Sequence, residues 1–222
     1  GGSRRDPENK KGLGYLTAST LTLGTQTHSA LEISQALDSM GASLVSSCAD
    51  DFSTLSLKVL KKVLEEGIRW FSEVLFSASF PENEVARKKN EILAALQAEK
   101  EDPGAVAQRA LLEALFGKTP YGTPPQGTEI SIPGVTRLDV VNHYRTFYRP
   151  NNAILVAVGD FNTGELQNLL KSSLKSWEPG PIPKENYRTD FPVEKKILLL
   201  EMDITQANIV LGMRGIQRSN PD

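Results

Sequence analysis

The chain offers little material for metal or nucleophilic chemistry. Its two histidines, His28 and His143, stand far apart, and no His-x-x-x-His pair is present. Two imidazoles one helical turn apart are a common way for a helix to hold zinc, so local spacing makes neither histidine a ligand. Cys48 is the single cysteine, which excludes an internal disulfide and a cysteine-rich zinc site. It lies among small residues with no basic neighbour to hold a thiolate, so it reads as a structural thiol. Glu99 to Asp102 is an acidic run, and a solvated helix end explains it better than a catalytic carboxylate pair. His143, beside Tyr144 on an amphipathic stretch, and His28, in a Thr-rich loop, both read as ordinary surface or satisfied histidines. There is no Gly-x-Gly-x-x-Gly, no phosphate-binding loop and no Gly-x-Ser-x-Gly.

The elements that must position these residues follow from periodicity. Residues 1–12 read as a loop, and Gly14 to Leu23 as a short helix with Tyr15 and Ser19 one turn apart on one face. Leu31 to Met40 is a helix stopped by Gly41. Ala42 to Cys48 and Phe52 to Leu60 form two strands around an Ala-Asp-Asp turn, with Leu55, Leu57 and Val59 alternating with polar residues. Val63, Leu64, Ile68, Phe71 and Leu75 recur at helical spacing. Pro81 opens a further helix that runs to about Asp102 and places Ile92, Ala95, Leu96 and Glu99 on one side, directed to the interior. Val106 to Phe116 is the next helix, and residues 118–135 are an ordered loop. Thr136 and Asp139 cap a helix to Tyr148. Ala153 to Val158 reads as a buried strand, Asn162 caps a last helix with Leu166, Leu169, Leu170 and Leu174 inside, and Glu178 to Pro183 is a Pro-rich linker. Lys196 to Met202 and Asn208 to Met213 read as two final strands. The order predicts an α+β fold, an antiparallel or mixed β-sheet with helices packed on one face.

Composition narrows the function classes. The 222 residues carry 25 Lys and Arg against 27 Asp and Glu, a formal net charge of -2. That balance opposes nucleic-acid binding through bulk basicity. No apolar run is long enough to span a bilayer as a helix.

The chain-wide arrangement is more specific. Gly1-Gly2-Ser3-Arg4-Arg5-Asp6-Pro7, then Gly12-Leu13-Gly14-Tyr15-Leu16-Thr17-Ala18-Ser19 and Gly24-Thr25, resembles the M16 family of zinc metallopeptidases, which includes pitrilysin, insulin-degrading enzyme and mitochondrial processing peptidase. Met40-Gly41-Ala42, Glu99 to Pro103, Pro120-Tyr121-Gly122, Gly127-Thr128, Phe147 to Asn152 and Val158-Gly159-Asp160 follow in the same order. The resemblance implies the α+β domain shared by M16 peptidases and LuxS-like metallohydrolases. It implies an inactive peptidase-like domain over residues 1–203 and the start of a second M16 domain at 204–222. It also implies that the chain begins inside the first hairpin.

Active members carry an inverted His-x-x-Glu-His motif, which falls here on Tyr15 to Ser19. Tyr15 and Ser19 occupy the histidine positions, Ala18 the general-base glutamate, and Ala95 the third ligand, a glutamate on a later helix. A zinc hydrolase needs three protein ligands, an open water position and a base. The resemblance therefore implies a non-catalytic chain with no metal or cofactor of its own and with zinc expected in a partner. That partner is a catalytic M16 subunit in a heterodimer, or a second copy by self-association, and the two enclose unfolded peptides. The alternative is a structural homologue of the respiratory-complex core type; an active peptidase with unusual ligands is the third reading. A bacterial periplasm or cytoplasm is the expected compartment, and an organelle also fits.

Overall fold

The computed structural model describes residues 1–117, 119–184, 195–216 and 220. Residues 217–219, 221 and 222, within the stretch assigned to a second domain, lie outside these. Helix α1 (Leu13–Thr20) comes first and α2 (Ala30–Ser39) second. A hairpin follows, β1 (Ser43–Cys48) and β2 (Ser53–Lys58), then α3 (Leu64–Ser77), α4 (Glu82–Glu99), α5 (Pro103–Phe116), α6 (Arg137–Phe147) and α7 (Thr163–Ser173).

Local chemistry sets the boundaries. Ser29 and Glu32 form a capping box on α2, and Thr136 and Asp139 form one on α6. Asp102 accepts from the amides of Gly104 and Ala105 with Pro103 in the first helical turn, and Asn162 does the same for α7. After α2 the chain reverses at Gly41, whose φ of +62° suits a residue without Cβ.

The hairpin is antiparallel, with Ser43 opposite Lys58 and Cys48 opposite Ser53. Its alternation is that of a sheet covered on one side. Leu44, Leu55 and Leu57 face the helices, while Val45, Thr54 and Lys58 face solvent. Helix α1 lies at the centre, packed on α6, α4 and the hairpin. Leu16, Thr17, Ala18 and Thr20 are fully buried, so this helix is enclosed nearly all round. The hydroxyls of Thr17 and Thr20 donate back to the carbonyls of Leu13 and Leu16, which satisfies them inside the core. Val74, Phe80, Val85, Ile92, Leu96, Ile132 and Val140 complete that core.

Three expected strands are not formed. Ala153 to Val158 is extended but has no ladder partner, and Ile154 and Val158 are 93% and 94% exposed. Lys196 to Met202 and Asn208 to Met213 likewise have no ladder partner among the described residues, and Leu199 and Ile209 are exposed. Apolar β-branched runs favour strands only where a neighbouring edge supplies hydrogen bonds and a face to pack on. The sheet among the described residues therefore has two strands. In α7, Leu166 is buried while Leu169, Leu170 and Leu174 are half-buried.

A candidate site at the first helix

Helix α1 is held at both ends by side chains from elsewhere. Its N-cap, Gly12, adopts φ +91° and has no side chain to cap with. A Cβ there would lie 2.5 Å from Ile132 Cδ1 and 2.6 Å from the Gln126 carbonyl oxygen, so glycine is required. The missing cap comes from the preceding loop. Asp6 is buried, and its carboxylate accepts from the Gly12 amide at 2.9 Å and the Gly14 amide at 2.8 Å. These are free N–H groups of a helix N-terminus, where a carboxylate is favoured. Burial nevertheless dominates and pushes the Asp6 carboxyl up to about 7, against the pull of those amides and of Lys11. The same loop is tied to the hairpin turn: the amides of Ser3 and Arg4 donate to the carbonyls of Ala49 and Asp50. Asp51 takes a 2.5 Å ion pair from Arg4 and a 2.8 Å hydrogen bond from the Tyr121 hydroxyl.

Beyond the other end of α1, Gly24 and Thr25 bridge to Ser29 and Ala78. One oxygen of Glu73, on α3, accepts from Thr25 Oγ1 at 2.7 Å and Thr27 Oγ1 at 2.8 Å, and meets His28 Nδ1 at 2.6 Å. Partial burial would raise the Glu73 carboxyl, but these three contacts outweigh it and hold it below the usual range. The His28 ring stands edge-on to Trp70, 4.8 Å between centroids.

The four positions singled out from the sequence lie between these anchors and on α4. Tyr15 and Ser19 are half-buried on one face of α1, as the four-residue spacing requires. Ala18 is fully buried. Ala95 corrects an expectation, because it is exposed and not directed to the interior. Its helix buries Val85, Ile92 and Leu96, and that stripe leaves Ala95 on the solvent side. A phenol and a serine hydroxyl are the only polar groups these four residues offer. The two methyl groups offer no lone pair, so the set does not fit a zinc ion with an activated water. Among the described residues no three His, Cys, Asp or Glu side chains gather where a metal could sit.

The remaining candidates have structural roles. Glu99 accepts from Gln126 at 2.9 Å and Asp102 caps α5, so two carboxylates of the acidic run serve the helix ends. Burial raises the Cys48 thiol, which disfavours its thiolate. His143 is buried and not on the surface. Desolvation holds it down to about 3, and the neutral ring packs against Phe147 at 4.7 Å with Nε2 unpartnered. Sequence reasoning overlooked Asp6 and Glu73. An acid six residues before a Gly-x-Gly helix start was the available signal for Asp6; Glu73 gave none.

A layer of helices over an antiparallel hairpin defines a chain of the α+β class. Residues 1–129 match the insulinase (peptidase family M16) model and residues 134–222 the M16 inactive-domain model. The chain belongs to the M16 peptidase family. It is 24% identical over 99% of its length to an uncharacterized zinc protease of Streptomyces coelicolor, covering 49% of that protein. It is 27% identical over 96% of its length to a non-peptidase homolog of Helicobacter pylori, again covering 49%. The crystal structure of an M16 inactive domain from Pseudomonas fluorescens superposes with a TM-score of 0.78 at 26% identity, over 84% of this chain and 46% of that one. The chain thus spans about half the length of the curated relatives it matches.

Proposed function

We propose that this chain belongs to a non-catalytic M16 subunit that pairs with a separate, zinc-bearing M16 subunit and helps bind unfolded peptides. The observation that carries the reading is the state of α1. Its anchors at Asp6, Gly12, Thr25 and Glu73 are complete, while Tyr15, Ala18, Ser19 and Ala95 present no zinc-binding set and no base. A wall that positions a peptide can contribute to catalysis in a partner without reacting itself. The name of the Helicobacter pylori relative, a non-peptidase homolog, supports the same direction; other relatives are named zinc proteases.

The test is reconstitution of the full-length protein with a separately purified catalytic M16 partner. The expected results are a complex on gel filtration, faster peptide cleavage than by the partner alone, and zinc well below one equivalent in the isolated subunit. Stoichiometric zinc with peptide hydrolysis by the isolated protein refutes the reading. Absence of both complex and rate change refutes the partnership and leaves a structural homologue.

A further inference from the structure

A cleft of about 400 Å³ opens between the C-terminal end of α3, α6 and residues 176–178. Helix α6 presents Arg137, Val141 and Arg145 to it at four-residue steps, and Arg149 continues the row past the helix end. The opposite wall is apolar: Phe76 and Trp177 stand 6.0 Å apart, and Trp177 Nε1 is fixed by the Tyr148 carbonyl at 3.0 Å.

Two of the three guanidiniums have structural work. Arg137 donates to the Phe80 and Ser79 carbonyls at 2.6 and 2.7 Å, just beyond the end of α3. Arg149 donates to the Arg145 carbonyl at 2.7 Å and to the Glu178 carbonyl at 3.4 Å. Cations belong at helix C-termini, so these contacts account for both residues. They do not account for Arg145. Its guanidinium is exposed and has no hydrogen-bond or ion-pair partner among the described residues. Glu178 is the single carboxylate among the lining residues, so three guanidiniums face one counter-charge.

We propose that this cleft binds a small oxyanion, a carboxylate or a phosphate, with Arg145 as its principal ligand and Arg137 and Arg149 supplying field. A guanidinium fork matches either anion with two parallel hydrogen bonds. Partial enclosure strengthens the attraction over that of an open surface. The Ser79, Arg145, Glu178, Tyr148 and Leu75 carbonyls, which would otherwise repel an anion here, already accept from arginine, tryptophan or tyrosine. The site is separate from the peptide-binding reading and stands or falls without it.

Calorimetric titration of the full-length protein at low salt, with sodium phosphate and separately with N-acetylphenylalanine, tests the assignment. Saturable binding of phosphate, of the carboxylate or of both is expected, and the pattern identifies which oxyanion the site takes. Arg145→Gln should weaken it about tenfold or more, with an unchanged melting temperature because the side chain is exposed. Lys58→Gln removes the same charge from the exposed end of β2 and should leave affinity within about twofold. No saturable heat with either compound overturns the proposal, as does an equal loss in the two variants, which would mean bulk charge attraction.

Discussion

Asp6 makes the sharpest test of how the first helix is held. Its carboxylate is buried and is the acceptor for two amides at the α1 N-terminus. Asp6→Ala leaves both donors buried without partners, at about 1–3 kcal/mol each, so a loss of about 3 kcal/mol or more is expected. The pH dependence is more discriminating. The carboxyl rises from 3.8 to about 7 on folding, mainly by desolvation. A group whose pKa is raised in the folded state contributes stability that is fully present below its unfolded value and lost as pH rises through its folded value. About three units correspond to about 4 kcal/mol, of which about 3 kcal/mol disappears between pH 5 and pH 8. Asp6→Asn keeps one acceptor and the shape but cannot titrate. Urea unfolding of the wild type and Asp6→Asn at several pH values measures the difference directly. Relative to the asparagine variant, the wild type should lose stability steadily from pH 5 to pH 8. Parallel profiles would refute the coupling. A wild type that gains stability over that range would mean the helix amides outweigh burial and hold Asp6 ionised.

Gly12→Ala should destabilise by about 2 kcal/mol or more, because it adds strain at φ +91° to a Cβ that meets Ile132 and the Gln126 carbonyl; a thermal melt reads it. Leu16→Ala and Leu96→Ala, each at a fully buried position, should each cost about 2–5 kcal/mol in urea unfolding. Thr25→Val removes the hydrogen bond to Glu73 and the acceptor for the His28 and Thr27 amides, for a loss of about 1–3 kcal/mol at neutral pH, of which the Glu73 part depends on pH. Glu73 is depressed in the folded state, so its contribution is present above about 4.5 and lost as pH falls through its folded value. The Thr25→Val penalty should therefore shrink in acid. Ala18→Glu buries an unpaired carboxylate at a fully enclosed position and should cost about 3–5 kcal/mol. Circular dichroism on heating shows whether that variant still folds.

The helices were legible because their signals are local. Thr136 and Asn162 cap where their spacing predicts, and Gly41 turns the chain where a stop was expected. Tyr15 and Ser19 share a face for the same reason. What failed depended on partners distant in sequence. The run from Ala153 to Val158 has strand composition, but a strand needs an edge, and none of the described residues supplies one. Ala95 sits beside two core residues in the helical projection, yet the stripe through Val85, Ile92 and Leu96 is narrow enough to leave it outside. Glu73 was invisible because three of its contacts come from a loop more than forty residues away.

The burial of the four positions decides which of them tolerate a change of side chain. Tyr15 and Ser19 are half-buried and Ala95 is exposed, so their side chains can change with small effects on the core. Ala18 is different, because it is enclosed completely and an acid there must be stabilised by something nearby. Without cationic or metal partners, a small apolar residue is the stable choice at that position. Asp6, Gly12 and Thr25 have no such freedom: each meets a specific amide, carbonyl or carboxylate that would be left unpaired or overcrowded. If the four positions are those the proposed function assigns, the combined Tyr15→His, Ala18→Glu, Ser19→His and Ala95→Glu variant should fold better in the presence of zinc than without it. The metal would neutralise a cluster that the apo chain cannot tolerate. A reversal variant whose melting temperature is indifferent to zinc would show that the four side chains do not converge, and that α1 and α4 no longer hold the geometry of a metal site.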